Sequence, residues 1–150
     1  DVIPLSKTVV AVGVSLMTSV DGAAWAVDHI LATDPAVQHV AVVKDVYDRS
    51  PDRPTLSHVL CCDAPGSASV AARPAAAGRS WLVDVYARSA GGAALARSSQ
   101  PLAGSLQALG LCVREVPSPA LRPGAHAPVR LPTGAVRTRT SPDTARRALA

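Results

Sequence analysis

The chain of 150 residues is 48% hydrophobic and 17% charged, with a formal net charge of +4. This length suits a single globular domain, and this composition argues against a disordered chain. Its apolar runs of about 8 residues are too short to cross a membrane as a helix. Arg outnumbers Lys, Phe is absent, and Ala, Val, Pro, Gly and Arg dominate, which indicates a GC-rich genome.

The first half of the chain predicts a strand, a helix and two further strands. Residues 8–16 form a continuous β-branched run, which is typical of a strand buried on both faces. A helix over 23–32 follows, because its apolar residues recur at helical spacing and Asp21 can cap the first turn. Residues 37–47 and 55–62 predict two strands that pair as a hairpin across the polar loop between them.

Residues 64–78 complete the first half with a short or irregular helix that is broken by a proline. The second half, from residue 79, predicts a similar order of elements, more loosely. A strand over 79–87 follows, and then a helix over 91–110 that Pro101 kinks or splits. Residues 111–116 predict the last strand of this half.

Two similar segments point to an internal repeat. SVDGAAWAV at 19–27 and SAGGAALAR at 89–97 each predict a turn that opens an alanine-rich helix. Their surroundings superpose without gaps, 9–46 on 79–116, and the shared order favours a duplicated βαβ unit. The first six elements follow β-α-β-β-α-β, the order of a ferredoxin-like fold. We therefore expect an α+β fold with one antiparallel or mixed sheet and helices on one face.

Charge is distributed unevenly along the chain. Residues 1–78 hold 5 basic and 8 acidic groups, whereas residues 79–150 hold 10 basic and 3 acidic groups. We predict one α+β domain over 1–134, with loosely repeated halves 1–78 and 79–134. An Arg-rich tail or terminal helix over 135–150 follows this domain.

The clearest interaction signal is the Arg-rich C-terminal third. An arginine fork matches carboxylate and phosphate geometry, so this third predicts contact with an acidic protein, with another subunit, or electrostatically with nucleic acid. No aromatic residue there offers base stacking, and a solvated tail is the remaining alternative. The six candidate binding residues are Arg122, Arg130, Arg137, Arg139, Arg146 and Arg147.

Catalytic signals are weak. The candidates for an acid–base group are His29, His58 and His39, and each has a packing or surface role as its alternative. His29 follows Trp25 by one helical turn, so the two rings can touch. If His58 and Cys62 share a strand, they lie about 13 Å apart, which is too far for a catalytic dyad.

Cysteine usage predicts no metal and no disulfide framework. The adjacent Cys61 and Cys62 point to opposite faces of a strand, so they do not grip one ion. We expect buried reduced thiols, which favour an intracellular, cytoplasmic setting. No C-x-x-C or H-E-x-x-H spacing occurs, and we predict neither a metal nor a cofactor.

We therefore expect a non-enzymatic assembly or binding module that acts as a homo-oligomer subunit, away from membranes, with its basic third available to an acidic partner. An acidic and a basic half on one chain favour head-to-tail contact between copies. Two alternatives stay open. One is a small cofactor-free enzyme with a histidine acid–base group, and the other is an electrostatic nucleic-acid binder.

Overall fold

Two β-sheets and three short helices form the described part of the chain. The computed structural model describes residues 1–15, 17–44, 55–72 and 81–117. The elements in chain order are β1 (Val2–Pro4), β2 (Val9–Gly13), α1 (Val20–Thr33), β3 (His39–Val43), α2 (Leu56–Val59), β4 (Leu60–Ala64), β5 (Ser67–Ala72), β6 (Leu82–Ser89), β7 (Gly92–Pro101), α3 (Leu102–Ala108) and β8 (Cys112–Pro117).

Both sheets are mixed. The larger sheet has the strand order β1-β2-β3-β6-β7, and the smaller has the order β4-β5-β8. Strands β2 and β3 run parallel, as do β5 and β8, whereas all other neighbours are antiparallel. Helix α1 connects β2 to β3, because parallel neighbours need a crossover connection.

The five-stranded sheet separates two hydrophobic clusters, because successive side chains of a strand point to opposite faces. On one face, Val10 and Val40 pack with Ala23 and Val27 of α1. On the other face, alternate residues such as Val9 join core side chains of α2, α3 and the smaller sheet. The molecule therefore has three layers, with α1 on one side of the large sheet and the smaller sheet on the other.

Helix α1 contains the helix predicted over 23–32, and its buried stripe explains why it forms there. Ala23, Val27 and Leu31 recur one helical turn apart and are all buried against the sheet. The cap is Ser19 and not Asp21, because the Ser19 hydroxyl accepts a hydrogen bond from the Gly22 amide at 3.1 Å. None of the described helices is long and apolar enough to cross a membrane.

The predicted ferredoxin-like order, with helices on one face of a single sheet, is wrong. The strands divide between two sheets, and helices lie on both faces of the larger one. The strand predicted over 55–62 begins as α2, where Thr55 and His58 form a capping box. It continues as β4, which pairs with β5 and not with β3. The expected hairpin between β3 and this segment is therefore absent from the described residues.

The duplicated βαβ unit is also wrong, because the second member of the repeat is a strand. SVDGAAWAV leads into α1, whereas SAGGAALAR turns tightly out of β6 and enters β7. Gly92 has a φ of 115°, which a glycine adopts without steric cost, and the Ser89 hydroxyl donates to its carbonyl oxygen. This turn lays the alanine-rich segment beside β6, where pairing overrides its helix propensity.

Two further elements differ from prediction. The helix expected over 91–110 is limited to its second part, because α3 starts after Pro101. Where the structure describes the helix expected over 64–78, it shows β5 instead, the central strand of the smaller sheet, in which Ala68, Val70 and Ala71 are buried. Residues 73–78 of that prediction lie outside the described residues. The boundary predicted between 134 and 135 lies outside the described residues.

Candidate functional site

The three histidines predicted as acid–base candidates lie on three different elements. His29 is exposed on α1, His39 begins β3, and His58 is exposed in α2. The His58 ring nitrogen Nδ1 accepts a hydrogen bond from the Thr55 amide at 3.1 Å, so this ring caps a helix. Among the hydrogen bonds of the described residues, none joins two of these histidines, and the enzyme alternative stays a prediction.

The six arginines predicted to bind a partner all lie beyond Pro117, outside the described residues. Their role stays a prediction, as does the nucleic-acid alternative. One described arginine has a structural role, because the Arg88 guanidinium donates to the carbonyl oxygens of Asp34 and Val37. It ties the end of α1 and the following loop to strand β6.

The adjacent cysteines are buried, as predicted, and they belong to β4. Burial raises the pKa of the Cys61 and Cys62 thiols, and the neighbouring Asp63 raises both further. The proximity of Cys61 also raises the pKa of Cys62. These thiols are poor nucleophiles at neutral pH, since the thiolate is the reactive form. The third cysteine, Cys112, is exposed.

No metal site is formed by the residues that the structure describes. Within those ranges, no three His, Cys, Asp or Glu side chains come together in a group that could hold an ion. On the smaller sheet, Asp63, Ser69 and Arg114 form a polar cluster. There the Ser69 hydroxyl donates to the Asp63 carboxylate at 2.7 Å, and Arg114 donates to the Ser69 oxygen.

A second polar cluster joins three strands of the large sheet. Lys44, which follows β3, lies 2.6 Å from the Asp84 carboxylate of β6. The same carboxylate accepts hydrogen bonds from the Ser98 hydroxyl at 3.0 Å and the Ser99 amide at 2.8 Å. Lys44 also donates to the Ser99 hydroxyl at 3.1 Å. The ion pair and these hydrogen bonds tie β7 to β6 and to the end of β3.

The outer surface of α1, formed by Asp21, Trp25, Asp28 and His29, is exposed and carries a large aromatic group. Trp25 is 67% exposed, and its ring stacks on that of His29 with centroids 4.8 Å apart and planes 9° from parallel. Asp21 and Asp28 precede and follow Trp25 by four and three residues, so both flank it on the helix. Within the described ranges, no ion pair involves either aspartate.

Strand β7 forms one edge of the large sheet. Its ten residues carry a single charge, that of Arg97, and nearly all of them are exposed. Two register shifts with β6 fall between Leu95 and Gln100, and Ser99 in that stretch has a φ of 51°. The first four residues, Gly92–Leu95, pair regularly with β6 and hold no charge. We call this stretch the open edge, since no described strand pairs with its other side.

A groove of about 310 Å³ lies between the bulged end of β7 and α3. It is open to solvent and lined by Arg97, Gln100, Pro101, Gly104 and Ser105. Its lining holds one cation and no acid–base pair. These lining residues therefore do not indicate a type of reaction.

Sequence reasoning anticipated the contact of Trp25 with His29, because both lie on one helix. It missed the ion pair of Lys44 with Asp84 and the open edge, because both depend on which strands become neighbours. Comparison with protein-family models gave no match for this chain, and a search of the curated proteins found no relative either. The functional conclusion therefore rests on the geometry of these surfaces.

Proposed function

We propose that this chain is a non-enzymatic assembly module, a homo-oligomer subunit that pairs with a second copy along the open edge of β7. The observation that carries the proposal is the bare stretch Gly92–Leu95, which ends in Leu95 with 53% of its surface exposed. An edge strand presents unpaired amide and carbonyl groups, and a second strand can satisfy them.

The contrast within β7 supports this choice of partner. Proteins protect exposed edges with bulges and charges, and the second part of β7 has both, at the register shifts and at Arg97. The open edge has neither. Two copies related by a two-fold axis would set Gly92–Leu95 antiparallel to itself, which makes a self-complementary contact and continues the sheet.

The setting that we propose is intracellular and reducing. The support is chemical: Cys61 and Cys62 are buried free thiols, and Cys112 is an exposed one. Exposed unpaired thiols oxidise in secreted proteins and persist in reducing compartments.

The test is the molecular mass of the full chain as a function of concentration, measured by sedimentation equilibrium. We expect the wild type to associate and Leu95→Lys to dissociate it, because a charged side chain on an edge strand opposes pairing with another strand. The matched control is Val2→Lys. Val2 is also 53% exposed and lies in β1, at the opposite edge of the same sheet.

The control should associate like the wild type. A wild-type chain that is monomeric at every concentration overturns the proposal. Association that Leu95→Lys leaves unchanged also overturns it, because the contact would then lie elsewhere on the molecule.

A further inference from the structure

We infer that the outer surface of α1 docks the Arg-rich C-terminal segment, residues 118–150, of a second copy. The inference rests on the proposed function, since it places this contact between subunits of the same oligomer. It goes beyond that function because it names a second surface, separate from the open edge, and the segment that occupies it.

The first step concerns the exposed aromatic group. Trp25 lies opposite the buried stripe of Ala23 and Val27, so its indole adds little to the core. Tryptophan is enriched among the residues that carry most of the binding energy at protein interfaces. Because His29 stacks on one face of the indole, a ligand with a flat cationic group can stack on the other.

The second step concerns charge. Helix α1 and its C-cap contain Asp21, Asp28 and Asp34, and no lysine or arginine. Residues 118–150 contain six arginines against a single acidic residue, Asp143. A guanidinium both stacks on an aromatic ring and bonds a carboxylate with two parallel hydrogen bonds, which an ammonium group does not do. The acidic, aromatic surface of α1 and the arginine-rich residues 118–150 are therefore complementary in charge and in the planar shape of their side-chain groups.

The third step concerns which copy supplies the arginines. Helix α1 lies on one face of the large sheet, whereas β8, which ends at Pro117, lies in the smaller sheet on the other face. To reach its own α1, the segment must pass around an edge of the large sheet. A second copy can present its segment directly, and an acidic surface meeting a basic one is a heterologous contact.

The test uses the full chain and four variants, with association constants from sedimentation at two salt concentrations. Trp25→Leu and Arg137→Gln/Arg139→Gln should each weaken association at least tenfold, since each removes a stacked or paired group. Asp28→Asn should weaken it several-fold at low salt and little at high salt, because salt screens exposed charges. The matched control is Glu115→Gln, an exposed carboxylate on β8 whose neutralisation changes the net charge equally and should leave association unchanged.

A mixing experiment then separates contact between copies from contact within one. The Trp25→Leu chain keeps its arginines, and the Arg137→Gln/Arg139→Gln chain keeps its α1 surface. If the contact joins two copies, a mixture of the two variants should associate more tightly than either alone. No recovery in the mixture overturns the inference and indicates a segment that folds back on its own α1.

The outcomes also distinguish this inference from the proposed function. If Leu95→Lys dissociates the oligomer while the Trp25, Asp28 and arginine variants leave it intact, the open edge stands and the docking inference falls. If the Trp25, Asp28 and arginine variants weaken association while Leu95→Lys leaves it intact, docking on α1 is supported and pairing along the open edge is overturned. A wild-type chain that is monomeric throughout overturns both.

Discussion

Lys44 Nζ lies 2.6 Å from Asp84 Oδ2, and this ion pair joins the end of β3 to β6 beside the bulge of β7. Asp84 also accepts from Ser98 and Ser99, so one carboxylate holds three strands together. Burial alone would raise the pKa of Asp84, but the hydrogen bonds from Lys44, Ser99 and Ser98 outweigh burial and lower it. Asp84→Asn should therefore destabilise the fold by about 1–3 kcal/mol at neutral pH.

The Asp84→Asn variant also tests how the free energy of unfolding changes with pH. A carboxyl whose folded-state pKa is depressed stabilises the fold fully above its ordinary value of 3.8 and loses that contribution as pH falls through the folded pKa. The wild type should thus lose more stability than Asp84→Asn between about pH 5 and pH 2 in urea unfolding. In a chain that carries Lys44→Met, the substitution Asp84→Asn should change this pH dependence less, because the ion pair is already lost. Parallel pH curves for wild type and Asp84→Asn would contradict this account.

Ser99 provides a separate test of the bulge, because it is a non-glycine residue with a φ of 51°. A side chain in this left-handed region costs about 1 kcal/mol relative to glycine. Ser99→Gly and Ser99→Ala both lose the hydroxyl that receives Lys44, so their comparison isolates the backbone term. Ser99→Gly should be the more stable by about 1 kcal/mol in urea unfolding. Equal stabilities would show that the bulge relaxes when the hydroxyl is lost.

The part of the fold that sequence predicts correctly is the part decided locally. Strand β2, helix α1 and strand β3 follow from one β-branched run, one helical stripe and another β-branched run. The alanines of β7 favour a helix, but the turn at Gly92 and the pairing with β6 make this segment a strand. The smaller sheet is equally non-local, since β5 pairs with β8 at Ser67 and Cys112, which are far apart in the chain.

The candidate surfaces also differ in whether local sequence alone can place their residues. Asp21, Trp25 and His29 can be placed on one helix from their spacing alone, and the structure stacks the two rings. The open edge needs the strand order, because a segment is an edge only once its neighbours are known. The burial of Cys61 and Cys62 follows from their apolar context, whereas the exposure of Cys112 depends on β8 being an edge strand.

Gly13 tests how tightly α2 packs on the end of β2. A methyl group added at Gly13 would lie 2.8 Å from the Leu56 Cβ atom, closer than two carbon atoms can approach without movement. Gly13→Ala should therefore cost about 1–3 kcal/mol of unfolding free energy, the usual cost of overpacking. The matched control is Gly91→Ala, where the added carbon has no atom within 4 Å. Its effect should stay within about 0.5 kcal/mol, and a cost equal to that of Gly13→Ala would contradict the packing explanation.

Thiol reactivity tests the burial of the cysteines in the folded chain. Burial raises the pKa of Cys61 and Cys62, so little thiolate forms there at neutral pH, and reagents have poor access to it. Cys112 is exposed, so reagents have access to its thiol. With Ellman's reagent, we expect one thiol of the native chain to react at once and all three after unfolding in guanidinium. Cys112→Ser should abolish the fast reaction and Cys61→Ser should retain it, whereas immediate reaction of the Cys112→Ser chain would show that β4 opens readily.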